Sequence, residues 1–351
     1  FLGASYFRAV APGLAYGLSA RGLALGSGDP GAEEFPRFSQ FWLETPAAGA
    51  DHVIVHALLD SPSVAGAFRF DIRPGEVVAF DVDARLYPRK PLHNAGIAAL
   101  TSMYEFDAGD RVGTDDFRPA VHDSDGLSLV NGAGEQVWRP LRNPAQVEHS
   151  GFRDRNPRGF GLMQRKRAFV DFQDPEASYE KRPSAWVEPV GDWGAGEVHL
   201  VEIPTGDEYL DNIVAFWRPD APLAPGREHR FRYRLHWGAG HAWLPALAQV
   251  VATRAVAGHE GRRLDVADLD GGALAKLSAD AAPVVDAAPV VDAATSAGSL
   301  HNAVAYRLAN GHWRMSFELA PGEARIAELR ARLLDAAGRP LSETWLSRWS
   351  A

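Results

Sequence analysis

The stretch His229-Arg-Phe-Arg-Tyr-Arg-Leu-His-Trp237 decides the fold class. Its aromatic and aliphatic residues alternate with arginine and histidine throughout, and this period of two predicts a β-strand. One face of such a strand is buried and the other is wet, as in an antiparallel sheet that is solvated on one side. The stretch therefore predicts an antiparallel β-sheet.

Shorter runs of the same kind lie on the N-terminal side of this strand. The 34 Gly and 24 Pro indicate many turns between short elements. Helical periodicity is restricted to two stretches, near Phe35–Trp42 and near Leu244–Thr253, where we expect short helices. Strands are expected at Val53–Leu59, Ala67–Ile72, Val77–Leu86, Ala168–Phe172, Val198–Ile203 and Ile213–Trp217.

The length of 351 residues suits one large and one small domain. Gly238-Ala-Gly240, followed by an alanine-rich segment, marks a boundary, so we predict an all-β protein with a large antiparallel β-sandwich over residues 1–240. A smaller, immunoglobulin-like β-sandwich is expected over residues 241–351. Its strands are expected at Val250–Val256, Ala303–Leu308, Trp313–Leu319 and Ile326–Leu334.

A tandem repeat interrupts the smaller domain. The sequence Ala-Pro-Val-Val-Asp-Ala occurs twice in succession over residues 282–293. Two copies of so short a unit do not make a solenoid, which needs repeated units of about 20 residues or more. We expect the repeat to be a surface insertion.

Charge and composition restrict the partners of the chain. The net charge of −9 opposes binding to nucleic acid or to an anionic membrane surface. No run of about 18 apolar residues is present, so no membrane insertion is expected. The absence of cysteine excludes disulfides and thiolate metal sites. We therefore expect a neutral partner, and we leave a homodimer open.

The segment 114–126 contains four aspartates together with Arg118 and His122. Crowded carboxylates repel one another and can raise one pKa enough to make a general acid or base. The segment therefore supplies four candidate acids, Asp115, Asp116, Asp123 and Asp125. Asp125 and Arg118 are also predicted to bind substrate. A solvated, Asx-rich loop explains the same composition, and this interpretation stays open. A calcium loop fits less well, because the later spacing and terminal Glu of an EF-hand are absent.

A second acidic segment, Gly206-Asp-Glu-Tyr-Leu-Asp-Asn212, lies between two expected strands. Loops at strand ends commonly carry sites. Glycoside cleavage needs two carboxyl groups, one to protonate the leaving oxygen and one to activate water or attack carbon, and separate acidic loops can supply them. An N-capped turn with solvated acids remains the alternative.

Aromatic residues accompany both acidic segments. Sugar rings pack their apolar C–H faces on aromatic rings, which makes Tyr179, Trp193 and Tyr209 candidates for substrate binding. The alternative for each Trp of the chain is a place in the core.

Basic residues are concentrated between Arg153 and Arg167. Arginines could bind the hydroxyls of a neutral glucan or hold nearby acids ionised, and a solvated face is the alternative. The histidines at 229, 236 and 241 lack metal-ligand spacing, so we predict no metal and no cofactor. Motifs for acyl, phosphoryl and hydride transfer are absent, which leaves glycosyl chemistry.

A series of motifs resembles the periplasmic glucan biosynthesis proteins OpgG and OpgD (MdoG and MdoD). The match is dense from Phe1 to Trp237 and resumes at Pro340-Leu-Ser-Glu-Thr-Trp345. The motifs are Phe1-Leu-Gly-Ala-Ser-Tyr-Phe-Arg8, Gly17-Leu-Ser-Ala-Arg-Gly-Leu23, Glu34-Phe-Pro-Arg-Phe38, Asp116-Phe-Arg-Pro-Ala-Val-His-Asp-Ser-Asp-Gly126, Gly161-Leu-Met-Gln-Arg165, Phe169-Val-Asp-Phe-Gln-Asp174, Tyr179-Glu-Lys-Arg-Pro-Ser184 and Asp211-Asn-Ile-Val-Ala-Phe-Trp217.

The resemblance implies a large β-sandwich of the carbohydrate-enzyme type followed by an immunoglobulin-like domain. It implies a periplasmic location and a longer protein, with an export signal and further strands before Phe1. Members of the family act on osmoregulated periplasmic glucans with a β-1,2-linked glucose backbone, and some are anomer-inverting endo-β-1,2-glucanases or transglycosylases.

The resemblance also implies roles for individual residues. Asp211 matches the general acid, Asp123 the general base and Glu208 a supporting acid. Tyr179 and Arg182 fall in the matching substrate-cleft motif. In the family the acid works through a substrate hydroxyl and the base through a water chain.

Three hypotheses for the function stay open at this point. The first is an enzyme that cleaves β-1,2-glucan and passes the chain to water or to a sugar hydroxyl. The second is a non-catalytic glucan-binding protein that positions the backbone for a partner enzyme. The third is a structural sandwich of the cell envelope.

Overall fold

The computed structural model describes residues 1–111, 113–240, 246–277 and 289–351, and within them the regular secondary structure is almost entirely β-strand. The prediction of an all-β fold is confirmed. No helix in these residues is long and apolar enough to cross a membrane. Short 3₁₀ helices occupy Phe169–Asp171, Tyr179–Lys181, His259–Gly261 and Leu274–Lys276.

The strands are numbered in chain order. They are β1 (Tyr6–Phe7), β2 (Ser19–Arg21), β3 (Ala24–Leu25), β4 (Arg37–Leu43), β5 (Val53–Asp60), β6 (Val64–Arg73), β7 (Val78–Pro88), β8 (Ala95–Ser102), β9 (Tyr104–Phe106), β10 (Val121–His122), β11 (Gly126–Val130), β12 (Gln136–Pro140), β13 (Glu148–Arg155), β14 (Gly159–Met163), β15 (Ser184–Val190), β16 (Ala195–Glu202), β17 (Ile213–Pro219), β18 (His229–Gly238), β19 (Gln249–Ala257), β20 (Arg263–Asp270), β21 (Val290–Thr295), β22 (Ser299–Arg307), β23 (Trp313–Ala320), β24 (Ile326–Leu334) and β25 (Thr344–Ser350).

The chain forms two compact units, and short segments from its first half join the second unit. The first unit comprises Phe1–Glu105, Asp116–Gly134 and Leu141–His241. The second comprises Phe106–Asp115, Glu135–Pro140 and Ala242–Ala351. No pattern in the sequence indicated that these two early segments would pack with the C-terminal part.

Two antiparallel sheets build the first unit. One has the order β1-β2-β8-β17-β16-β13, and in the other the strands β11-β14-β15-β18-β7-β6-β5-β4 are neighbours. Strand β18 pairs with β15 and β7, and its aromatic residues are buried while its arginines point to solvent. The alternation therefore matches a sheet with one wet face.

Aromatic rings fill the space between these two sheets. Phe7 of β1 contacts Phe70, Phe80 and Trp237 of the opposite sheet, with ring centroids 5.1 to 5.9 Å apart. All four rings are buried. Because both inner faces contribute to one core, the first unit is a β-sandwich.

The second unit is a smaller pair of sheets. Strands β19-β20-β23-β22 form one of them, and β21-β24-β25-β12 lie side by side in the other, with β12 parallel to β25. Phe317 of β23 packs on Trp345 of β25 at 5.8 Å, and the indole Nε1 of Trp345 donates to the hydroxyl of Thr253 at 3.1 Å.

Both predictions of short helices were wrong. Arg37–Leu43 and Gln249–Ala257 are strands, and residues 244–245 lie outside the described residues. Each strand carries a bulge, between Phe38 and Gln40 in the first and between Val250 and Ala252 in the second. A bulge inserts one residue and breaks the period of two, which leaves apolar residues at helix-like spacing.

Two further expectations also changed. Ala168–Phe172, expected as a strand, contains a 3₁₀ turn in which the Asp171 carboxylate accepts the Ala168 N–H at 3.0 Å. Of the tandem repeat, residues 282–288 lie outside the described residues. Residues 290–293 belong to β21, which pairs with β24, so this part is sheet and not a surface insertion.

Candidate functional site

The end of β8 brings together two acidic segments that lie far apart in the sequence. Ser102, the last residue of β8, is opposite Ile213, the first residue of β17, and Asp211 lies two positions before Ile213. The next residue, Met103, accepts a hydrogen bond of 2.9 Å from the backbone N–H of Asp123. Asp123 and Asp211 are therefore held at the same strand end by different segments of the first unit.

Buried hydrogen bonds fix the segment that carries Asp123. The hydroxyl of Ser102 donates to that of Ser124 at 2.8 Å. The side-chain amide of Gln164 donates to the carbonyl oxygen of His122 at 2.9 Å. Because these groups are fully buried, breaking either bond would leave a polar atom without water, which costs about 1 to 3 kcal/mol.

Asp123 is buried, and its surroundings are electrostatically mixed. Burial raises the pKa of Asp123 to about 6; the charges of Asp211 and Glu208 also raise this pKa, whereas Arg182 and Arg8 lower it. The Nε of Arg182 lies 3.5 Å from the Asp123 Oδ1. A carboxyl group with a pKa near 6 is ionised at neutral pH and still accepts a proton readily, which suits a general base.

Asp211 is half-buried at the end of its loop. Burial raises the pKa of Asp211, and the positive charges of Arg8 and Arg21 oppose this rise. Tyr6 lies on the same side, with the Arg21 guanidinium carbon 5.1 Å from its ring centroid. A carboxyl group that holds its proton more tightly than usual suits a general acid.

Asn212 closes the base of the acidic loop 204–211. Its side-chain oxygen accepts the Tyr104 N–H at 2.8 Å, and its amide nitrogen donates to the carbonyl oxygens of Tyr104 at 2.8 Å and Ile203 at 2.9 Å. The side chain is fully buried. Asn212 thus fixes the backbone immediately after Asp211.

Glu208 is held by two donors. The Nη1 of Arg118 donates to Glu208 at 2.6 Å and to Asp174 at 2.8 Å, while the Nε and Nη2 of the same guanidinium bind Asp116. The hydroxyl of Tyr179 donates to the same Glu208 oxygen at 3.1 Å. Arg118, predicted to bind substrate, therefore organises three carboxylates of the protein itself.

Tyr179 and Arg182 form one packed unit beside Asp123. The Tyr179 ring is buried, and the Arg182 guanidinium carbon lies 5.3 Å from its centroid. Arg182 donates to the carbonyl oxygens of Ala177 and Tyr16. Ser178, just before Tyr179, adopts the left-handed conformation with φ of 48°, which is strained for a residue with a side chain. Burial raises the pKa of Tyr179, so its hydroxyl keeps its proton and can donate.

Trp193 does not lie with these acids. It is 6% exposed and packs against Trp217, Phe231 and Tyr233, and its indole N–H donates to the carbonyl oxygen of Arg232 at 3.1 Å. A ring surrounded in this way offers no free face to a sugar. The structure therefore assigns Trp193 to the core of the sandwich, as the alternative interpretation of the sequence allowed.

Asp125 and Tyr209 differ in their exposure to solvent. Asp125 is buried, and the backbone N–H of Arg165 lies 3.2 Å from each of its two carboxylate oxygens. Its own N–H donates to the carbonyl oxygen of Met163 at 2.8 Å, so it ties two segments together. Tyr209 is 88% exposed beside Glu208, where its ring is free to meet a ligand.

The basic stretch Arg153–Arg167 divides between two roles. Arg153, at one end, forms an exposed ion pair with Asp220 at 2.9 Å. Arg167, at the other end, donates to the carbonyl oxygen of Arg182, and burial lowers the pKa of Arg167 to about 10. Only this second end supports the acidic site.

The sequence did not single out several residues that shape the site. Arg8, Arg21 and Tyr6 lie near Asp211, and Gln164 and Asn212 fix the segments of the two acids. All five occur inside motifs that carried the family resemblance. Their place in these motifs was the one feature of the sequence that pointed to them, because nothing in their spacing indicated that they lie close together in the fold.

The arrangement can move protons at two places. Asp211 and Asp123 are separate carboxyl groups with raised pKa values, and Glu208 is fixed nearby as a third acid. In the parts of the chain that the structure describes, no group of three or more His, Asp or Glu side chains is arranged to hold a metal ion.

Fold and site together define the chain as a β-sandwich protein with a partly buried two-carboxylate site. The family model described as "Periplasmic glucan biosynthesis protein, MdoG" matches residues 1–349. The chain belongs to this family. The resemblance stated from the sequence motifs is thereby confirmed.

Curated relatives carry a corresponding name over the whole chain. The chain is 52% identical over 351 residues to "Glucans biosynthesis protein G" of Rhodopseudomonas palustris, covering 100% of this chain and 68% of the relative. It is 51% identical over 355 residues to the protein of the same name from Vibrio cholerae, of which it covers 63%. The chain thus spans about two thirds of the length of these relatives.

Among solved structures, the chain is similar to the GH36 α-galactosidase AgaA of Geobacillus stearothermophilus. The TM-score is 0.32 at 10% identity, covering 66% of this chain and 30% of the galactosidase. This similarity is too low to support a conclusion on fold or function.

Proposed function

We propose that the protein cleaves β-1,2-glucan in the biosynthesis of osmoregulated periplasmic glucans, with inversion at the anomeric carbon. It would act in the periplasm as an endo-β-1,2-glucanase or as a transglycosylase. The observation that carries the proposal is the convergence of Asp123 and Asp211 at the end of β8, each in surroundings that raise its pKa. Membership of the glucan biosynthesis family supplies the substrate class.

In this proposal the two acids divide the proton transfers. Asp211 delivers a proton, by way of a substrate hydroxyl, to the oxygen that leaves as the glycosidic bond breaks. The acceptor O–H attacks the anomeric carbon and passes its proton through water to Asp123. Glu208, held by Arg118 and Tyr179, keeps a negative charge near Asp123 that favours proton uptake there.

The acceptor is water in a glucanase and a sugar hydroxyl in a transglycosylase. Mass spectrometry of the products distinguishes the two, because a cyclic product is lighter than the linear chain of the same length by one water. Proton NMR during the reaction gives the anomeric form of the new reducing end and so tests inversion.

The decisive variant is Asp211→Asn, assayed on linear β-1,2-glucan with the full-length protein. We expect cleavage to fall by about 10²-fold or more, because general acid catalysis typically contributes that much. Asp207→Asn is the matched control, since Asp207 is an exposed acid of the same loop. Cleavage that survives in Asp211→Asn would refute the assignment of the acid.

A non-catalytic glucan-binding protein predicts a different set of results. In that case the unsubstituted protein binds β-1,2-glucan and releases no product, and Asp211→Asn changes nothing. Calorimetric titration beside the cleavage assay separates the two functions.

A further inference from the structure

Arg8 is anchored beside the end of β8, on the side opposite to Asp211. It directly follows β1, and its Nε donates to the hydroxyl of Ser19 at 2.6 Å. Ser19 belongs to β2 and is paired with Thr101 of β8. Since β2 and β17 flank β8 on its two sides, the segments that carry Arg8 and Asp211 approach the same strand end from opposite directions.

The charge of Arg8 reaches both candidate catalytic acids. It lowers the pKa of Asp211 against the effect of burial, and it does the same for Asp123. Arg21 acts in this way on Asp211, and Arg182 on Asp123. Arg8 therefore lies close enough to act on the two carboxyl groups together.

The guanidinium of Arg8 retains donors for a ligand. A guanidinium has five N–H donors, and in the described part of the chain the structure gives Arg8 one hydrogen bond, made by Nε. By contrast, Arg21 donates to Glu33 at 2.6 Å, and Arg182 donates to backbone carbonyl oxygens. The four N–H groups on the Nη atoms of Arg8 are thus not used by the described part of the protein.

We propose that Arg8 is a substrate-binding residue whose Nη atoms donate to hydroxyl groups of the sugar held between Asp123 and Asp211. This inference rests on the proposed function, because it takes β-1,2-glucan as the ligand. A neutral sugar presents hydroxyl oxygens that accept hydrogen bonds from a charged donor. The fixed Nε–Ser19 contact aims the planar guanidinium, so the sugar is oriented as well as bound.

The test measures glucan affinity in a background that does not turn over. Linear β-1,2-glucan oligosaccharide is titrated calorimetrically into Asp211→Asn and into the same protein with Arg8→Met added. We expect the added substitution to weaken binding by about tenfold or more, since a hydrogen bond to a charged group contributes that much. The matched control is Arg230→Met in the same background, because Arg230 lies in an exposed ion pair with Asp83.

A second variant separates substrate binding from a merely electrostatic or structural role. Arg8→Lys keeps the positive charge but loses the planar pair of Nη donors. We expect Arg8→Lys to show the same pH profile of cleavage as the unsubstituted protein, because the positive charge is kept. Its KM should be raised, because the paired Nη donors are lost. Thermal unfolding of both variants shows whether the fold is retained, and Arg8→Lys carries the test if Arg8→Met unfolds.

The outcomes distinguish this proposal from the proposed function. A folded Arg8→Met or Arg8→Lys protein with affinity and KM within twofold of its parent overturns the role of Arg8 alone. Cleavage retained by Asp211→Asn overturns the assigned acid, and the effect of Arg8 is then measured through KM in the unsubstituted background. Neither binding nor cleavage of β-1,2-glucan by the unsubstituted protein overturns both proposals.

Discussion

Replacing Asp123 by Asn should stabilise the folded protein at neutral pH. Burial holds the pKa of Asp123 at about 6, above the 3.8 of an ordinary aspartate. The folded protein therefore binds this proton more tightly than the unfolded chain does. Folding is favoured by this group below about pH 4, and the benefit is lost as the pH rises through 6, because the buried carboxyl must then ionise. Asn carries no charge and avoids that cost at every pH.

The magnitude follows from the two pKa values. A difference of one in pKa corresponds to about 1.4 kcal/mol, so ionised Asp123 costs the folded state about 3 kcal/mol at pH 7.5. At pH 4.5 most of the group is protonated in the folded state, and the cost is about 1 kcal/mol. Arg182 keeps the carbonyl oxygens of Ala177 and Tyr16 as acceptors, so the substitution leaves it partnered.

Urea unfolding of Asp123→Asn and of the unsubstituted protein, followed by circular dichroism at pH 4.5 and 7.5, checks this prediction. We expect the stability difference to be larger at pH 7.5 by about 2 kcal/mol. Asp115→Asn is the control, because Asp115 is an exposed acid of the same segment, 114–126. This substitution should change stability by less than about 0.5 kcal/mol. A stability difference that is independent of pH, or a less stable Asp123→Asn at pH 7.5, would refute the argument from burial.

Two further substitutions test how the site is supported. Asn212→Ala removes three buried hydrogen bonds to Tyr104 and Ile203. We expect the free energy of unfolding in urea to fall by about 2 to 3 kcal/mol and glucan cleavage to become slower. Unchanged cleavage would show that Asn212 does not position Asp211. Trp193→Phe leaves the Arg232 carbonyl oxygen without its indole donor. We expect the free energy of unfolding to fall by about 1 to 3 kcal/mol and KM to stay unchanged. A raised KM would show that Trp193 binds substrate.

Strand positions in the first unit could be predicted where apolar and polar residues alternate without interruption. Val53–Asp60 and His229–Gly238 show this. The side chains of a strand point alternately to its two faces, so the polarity of each residue indicates whether its side chain is buried or exposed. The prediction failed at Arg37–Leu43, where the bulge after Phe38 changes the face of every later side chain. Such a bulge depends on pairing with another strand, which the local pattern does not contain.

The chain by itself determined the residue types of the site, because acids, aromatics and arginines are visible in the sequence wherever they fall. It also determined the family, through motifs spread along its length. Only the tertiary structure decided which of these residues meet. Sheet pairing across β8 joins Asp211 to Asp123 and brings Arg8 to both, whereas packing between the sheets removes Trp193 into the core. Pairing and packing are contacts between distant residues, and a sequence records them only indirectly.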